Sequence, residues 1–119
     1  MTQEDKELRL IDLCARLPYG VKVTNGIHII TLTLCSNVSI IIKNEYILPY
    51  LRPMSSMTEE EYKELKSISS YYGFAPYEYI GDWCPNYEMV NWLNAHHFDY
   101  RGLIKKGLAI EAPDGMYNN

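Results

Sequence analysis

Residues 20–43 read GVKVTNGIHIITLTLCSNVSIIIK, and their pattern decides the fold class. Two β-branched runs, GVKVT and IHIITLTL, flank Asn25-Gly26, a dipeptide that takes the positive φ angles of a two-residue type I′ hairpin turn. Ser36-Asn37 then separates the second run from VSIIIK, so the block predicts a three-stranded antiparallel meander. Side-chain alternation places Ile30, Leu32 and Leu34 on the buried face and Thr31 and Thr33 on the other. Adjacent Ile29 and Ile30 interrupt that alternation, which implies either a bulge or burial of both faces near that end.

Helical signals bracket the block. Before it, Thr2 is a candidate N-cap, acidic residues fill the first turn and Pro18 closes a helix over about residues 3–16. Leu10, Leu13, Cys14 and Leu17, with Ile11 beside them, form one apolar stripe, which makes Cys14 a core thiol. After it, Pro49 and Pro53 exclude helix from residues 44–57 and bias Leu48 and Arg52 toward extended backbone, so a short fourth strand is expected over 45–48. Thr58 and Glu61 have capping-box spacing ahead of a helix from Glu59 to about Ser70, with Tyr62, Leu65, Ser69 and Tyr72 roughly on one side. A third helix is expected over 86–97, with Met89, Trp92, Leu93 and His96 at helical spacing. A turn ending at Gly107 and an extended LAIEA follow. The expected fold is α+β: one domain, an antiparallel three- or four-stranded meander packed with an N-terminal helix and two further helices.

Composition narrows the function. With 119 residues the chain suits one domain with one core. A formal charge of −4 offers no general attraction to phosphate backbones, so duplex nucleic acid is not expected as a partner. The start MTQEDKELR has no apolar signal-peptide core, and His28, Thr31, Thr33, Ser36, Asn37 and Ser39 interrupt the greasiest stretch, so no membrane partner and a cytoplasmic location are expected. Cys14, Cys35 and Cys84 are odd in number and widely spaced, the pattern of reduced thiols.

Eleven tyrosines occur in the chain, and many aromatics crowd into YYGFAPYEYIGDWCPNYEMVNW at residues 71–92. Tyr and Trp provide large contact area with a polar tip at small entropy cost, which suits recognition. Tyr77, Tyr79, Trp83 and Tyr87 are the candidate binding residues there, against the alternative that the rings are core. A second candidate is the proline-bracketed loop PYLRPMSS, where Tyr50 and Arg52 stand beside Ser55, Ser56 and the start of the Thr58 helix. Arg52 there can present a fork to a small anionic ligand, although Glu59, Glu60 and Glu61 oppose an anion and compete for it. His96-His97 with Asp99 and Arg101 is the densest polar cluster. Adjacent helical positions point about 100° apart, so both histidines serve one site only if the helix ends between them. No CxxC, HxxxH or glycine-rich phosphate loop occurs, so neither a metal nor a cofactor is expected.

Three stretches, MTQEDKELRLIDLCARLPYGVKV, PYLRPMSSMTEEE and HFDYRGLIKKGLAIEAPDGMY, together about half of the chain, resemble a group of short uncharacterised proteins of gut anaerobic bacteria and their phages or other mobile elements. The resemblance brings no assigned activity, fold or site residue. A phage-like source implies a small soluble binding protein acting on host machinery or on a host signal molecule.

The expected function is therefore a non-enzymatic binding module, recognising a protein partner or a second copy of itself through its tyrosine-rich surface. One alternative is a protein that sequesters a nucleotide-like signal between aromatic rings and Arg52 or Arg101. Another is a small hydrolase using His97 and Asp99. Rings around a concave pocket favour sequestration, rings on an exposed patch favour a protein partner, and a cleft joining His97, Asp99 and a nucleophile favours hydrolysis.

Overall fold

The structure, a computed structural model, describes residues 1–33, 43–44, 46–68 and 87–117. Helix α1 spans Gln3–Arg16, and the Thr2 hydroxyl caps it by accepting from the Asp5 N–H at 3.1 Å. Strands β1 (Lys22–Thr24), β2 (Ile29–Thr31) and β3 (Leu48–Leu51) precede helices α2 (Glu59–Ile68) and α3 (Tyr87–Ala95), and β4 (Ile110–Glu111) comes last.

The sheet runs β2-β1-β3-β4, with β1 antiparallel to both neighbours and β4 parallel to β3. It is mixed, not a purely antiparallel meander. The helices between β3 and β4 supply the long crossover that a parallel neighbour needs, and a hairpin turn cannot. The strand expected over 45–48 lies instead at Leu48–Leu51, with Pro49 opposite Val23. An antiparallel ladder alternates bonded and non-bonded pairs, and proline fits the non-bonded ones. Residues 38–42 of the expected third strand lie outside the described residues.

The β1–β2 hairpin forms, with a different turn. Thr24 pairs with Ile29, leaving a four-residue loop from Asn25 to His28. Among the described residues His97 is the one non-glycine at positive φ, so Asn25 does not take the type I′ conformation. Side chains close the loop: Asn25 Oδ1 accepts from the N–H groups of Ile27 and His28, while Thr24 Oγ1 accepts from the Gly26 N–H and donates to the His28 carbonyl. Gly26 has a φ of 97°. Gly26→Val should cost about 1 kcal/mol or more, because a β-branched residue is strained there. An unchanged thermal melting curve would show the loop re-forming around it.

The continuous pairing of β1 with β2 excludes a bulge at Ile29-Ile30, and both side chains are exposed, at 52% and 54%. The expected burial of Ile30 is therefore not found. Core covers the base of the hairpin through Val21, Val23 and Leu32, and the remainder projects beyond it.

Two apolar clusters form the interior. One joins Leu13, Val21, Val23, Leu32, Leu51, Leu103 and Leu108, and the other Met54, Leu65, Met89, Trp92, Leu93 and Phe98. Trp92 is buried as its helical spacing predicts, and its indole N–H donates to Glu64. Helix α1 departs from its expected stripe: Cys14 is exposed and Ile11 is 56% exposed, whereas Arg9, Asp12, Leu13 and Arg16 are buried. The helix is turned to bring charges inward, which requires partners for all of them.

Candidate functional site

The buried face of α1 finds its partners at the other end of the chain. Asp12, with no exposed side-chain surface, accepts from Arg16 Nε at 2.8 Å, Arg16 Nη2 at 3.1 Å and Arg101 Nη1 at 2.7 Å. Arg16 Nη2 also donates to the Phe98 carbonyl at 2.6 Å. Both guanidinium groups lie over the Tyr100 ring, at 5.5 Å for Arg16 and 4.6 Å for Arg101.

Arg52 is held just as firmly. Its fork meets both Glu61 oxygens at 2.7 Å, and its guanidinium carbon lies 4.2 Å from the centroid of the Phe98 ring. Its backbone N–H donates to the His97 carbonyl, and its carbonyl accepts from the Asp99 N–H. Glu61 also accepts from the Thr58 N–H at 3.0 Å, while its own N–H donates to Thr58 Oγ1 at 3.1 Å, which completes the capping box expected at the start of α2. Burial alone would raise the Glu61 pKa; the Arg52 fork and the Thr58 bonds outweigh it and hold the carboxyl at about 2. Thr58→Ala should therefore cost about 1 kcal/mol in thermal melts, with Thr58→Ser nearly silent. Equal losses from the two substitutions would mean that the hydroxyl does not cap.

His97 holds the strained position. Helix α3 ends at Ala95, two residues before its expected end, and the His97 N–H donates to the Asn94 carbonyl while the Phe98 N–H donates to the Leu93 carbonyl. This Schellman closure places a left-handed residue at its centre, where glycine is favoured. The turn over 103–108 closes with the same pair of bonds around Gly107 at a φ of 75°. At 97 the residue is histidine with a φ of 63°, at a cost of about 1 kcal/mol relative to glycine. Burial, together with Arg16, His96, Arg52 and Lys22, lowers its pKa to about 4, so the ring is neutral near pH 7. Its Nδ1 is buried without a hydrogen-bond partner among the described residues.

Tyr117 covers that ring, stacked at 3.7 Å and 16°. Its hydroxyl accepts from the Lys22 N–H at 2.9 Å and donates to the Tyr50 carbonyl at 2.7 Å. Lys22 and Tyr50 follow the Val23–Pro49 pair in the β1–β3 register, so the phenol occupies a rung of the ladder in place of a direct backbone bond. Burial raises its pKa to about 12 against the Lys22 N–H and Arg16. Beside it opens a cleft of about 380 Å³, lined among others by Arg52, Ser56, Thr58, Glu111, Asp114 and Tyr117.

The structure thus gathers Tyr50, Arg52, His97 and Arg101 around one region, while Tyr87 stands apart, 80% exposed at the start of α3. Tyr77, Tyr79 and Trp83 lie outside the described residues. The expected fork for a small anion is closed by Glu61, and Glu111 and Asp114 add negative charge to the adjoining cleft. His97 and Asp99 form no acid–base pair, because both Asp99 oxygens accept from the backbone N–H groups of Leu103 and Ile104. Sequence reading missed Asp12, Arg16 and Tyr117. The i,i+4 spacing of Asp12 and Arg16 is a usable signal; Tyr117, a lone ring in a polar tail, gives none.

Among the described residues no group of three or more His, Cys, Asp or Glu is placed to hold a metal, and no helix is long and apolar enough to cross a membrane. Comparison with family models, curated proteins and solved structures finds no match.

Proposed function

We propose that the chain is a non-enzymatic binding protein that engages a protein partner, or a second copy of itself, through exposed tyrosines and isoleucines. One contrast carries this reading. Asp12, Arg16, Arg52, Asp99 and Arg101 are committed to the fold, whereas Ile27 at 81%, Tyr46 at 83% and Tyr87 at 80% exposure stand in solvent, with Ile29 and Ile30 about half exposed. Large apolar and aromatic side chains held out on an ordered frame are what interface cores are built from. The cleft argues less for sequestration of a nucleotide-like signal, since Tyr117 is the one aromatic ring among its described lining residues and acidic groups flank Arg52. The resemblance to phage-borne proteins is consistent with a host protein as partner.

Sedimentation velocity over a concentration series, with Ile29→Lys and Tyr87→Ala as variants, tests the reading. Self-association, or binding to a candidate partner, should be lost in at least one variant while its melting temperature stays within a few degrees. A small molecule retained by the purified protein in native mass spectrometry, with association unaffected by either substitution, would instead support sequestration.

A further inference from the structure

The Tyr117 recess presents three features that converge on one kind of guest. Lys22 offers a backbone donor and Tyr50 a backbone acceptor at facing positions of two strands, and a hydroxyl lies between them bonded to both. The His97 ring, itself held in a left-handed conformation, supplies a flat face at 3.7 Å. A phenol meets all three at once, whereas a phenyl ring leaves the donor and acceptor without partners.

The guest is also weakly tethered. Beyond the bond from the Ala112 N–H to the Leu51 carbonyl, the hydrogen bonds that tie residues 113–117 to the rest of the described chain run through the Tyr117 hydroxyl; the bond from the Met116 N–H to the Pro113 carbonyl lies within the segment. Pro113, Asp114 and Gly115 are exposed, and Gly115 has a φ of 80°. The segment follows β4, and among the described residues no helix or strand lies beyond it.

We infer that this recess is a tyrosine-binding site that the chain fills with its own tail, and that the tail of a second copy fills it in exchange. Such an exchange keeps every native contact and changes only which molecule supplies it. The tethered tail competes at an effective concentration on the order of millimolar, so the closed monomer prevails in dilute solution and exchange grows with protein concentration. The inference stands apart from the exposed tyrosines and isoleucines proposed above.

The test uses the full-length Tyr117→Ala protein and an acetylated peptide of residues 111–119, EAPDGMYNN, titrated by isothermal calorimetry at pH 7. Saturable one-to-one binding is expected, with none to the unaltered protein at the same concentrations. The same peptide carrying phenylalanine in place of Tyr117 should bind at least about tenfold more weakly. Equal affinity for the two peptides, or no binding below about millimolar concentration, where the tether would compete, overturns the inference. If Tyr117→Ala does not fold, Tyr117→Phe keeps the ring and weakens the tail, and the tyrosine peptide should then displace it with the same preference. In native mass spectrometry, Tyr117→Ala mixed with isotope-labelled His97→Ala should give a heterodimer, since one offers a vacant recess and the other a released tail. Absence of that heterodimer at concentrations where the peptide binds would overturn the exchange between copies.

Discussion

Acidification from pH 7 to pH 4 should remove about 3 kcal/mol of stability through His97 alone. The folded chain holds this imidazole at about 4 against an ordinary value of 6.5, so between those limits the unfolded chain binds the extra proton. The stability is therefore fully present above pH 6.5, falls as the pH drops toward 4, and levels off below. The charge would form in a site with 7% residual exposure, faced by Arg16 from α1, Lys22 from β1, Arg52 after β3 and His96 beside it, with the neutral Tyr117 ring on top. Burial also lowers the His96 pKa, more than Glu61 and Glu64 raise it, so His96 adds to the same trend. Glu61 takes over in stronger acid: its contribution is present above pH 4.5 and is lost as the pH falls through about 2. Urea midpoints measured from pH 7 to pH 4 should fall steeply for the unaltered chain. His97→Asn tolerates a left-handed backbone and does not titrate, so it should flatten most of that slope whatever its stability at pH 7. A slope retained in this variant would place the acid sensitivity elsewhere.

Asp12→Ala should be as damaging at neutral pH, at about 3–5 kcal/mol. The carboxylate has no exposed surface, and it is the common acceptor for Arg16, which is equally buried, and for Arg101. Its loss leaves two guanidinium groups facing each other without that carboxylate between them, and Arg16 Nη1 already lacks a partner among the described residues. A domain of this size has a total stability of about 5–15 kcal/mol, so the variant should populate the unfolded state measurably at room temperature. Asp12→Asn keeps the shape and one acceptor oxygen and should fall between. Chemical denaturation at pH 7 reads both, and a loss below about 1 kcal/mol for Asp12→Ala would mean that solvent reaches Arg16.

What could be read from the sequence was local. The Thr2 cap, the Thr58–Glu61 box, the Trp92 face and the end of the turn at Gly107 each depend on residues within a few positions of one another. Most of what escaped depends on distant ones, and one local feature was disguised. The Schellman closure at His97 was hidden because histidine stood where glycine marks such an end, and α3 was expected to run on to residue 97. Helix α1 was given an apolar stripe because Leu10, Leu13, Cys14 and Leu17 recur at helical spacing; Leu13 and Leu17 do pack against the core, but the inner face also carries Arg9, Asp12 and Arg16, whose burial makes sense only once Arg101 and the carbonyls of Phe98, Asn44 and Ile47 are in place. The parallel partner of β3 was likewise invisible, since nothing in Ile110–Glu111 states which strand it will join.

The bonds that join Asp12 to Arg101, Arg16 to Phe98 and Lys22 to Tyr117 span 89, 82 and 95 positions of the chain. During synthesis, α1 leaves the ribosome with two arginines and an aspartate on the face it must later bury, and the groups that complete that face are made more than 80 positions later. At about 5–20 residues per second, the helix waits several seconds with its inner surface solvated. Water satisfies those charges meanwhile, where an apolar face of the same size would be exposed to aggregation. The ionic lining of α1 thus suits a fold whose first helix cannot dock until partners 82 and 89 positions downstream have been made.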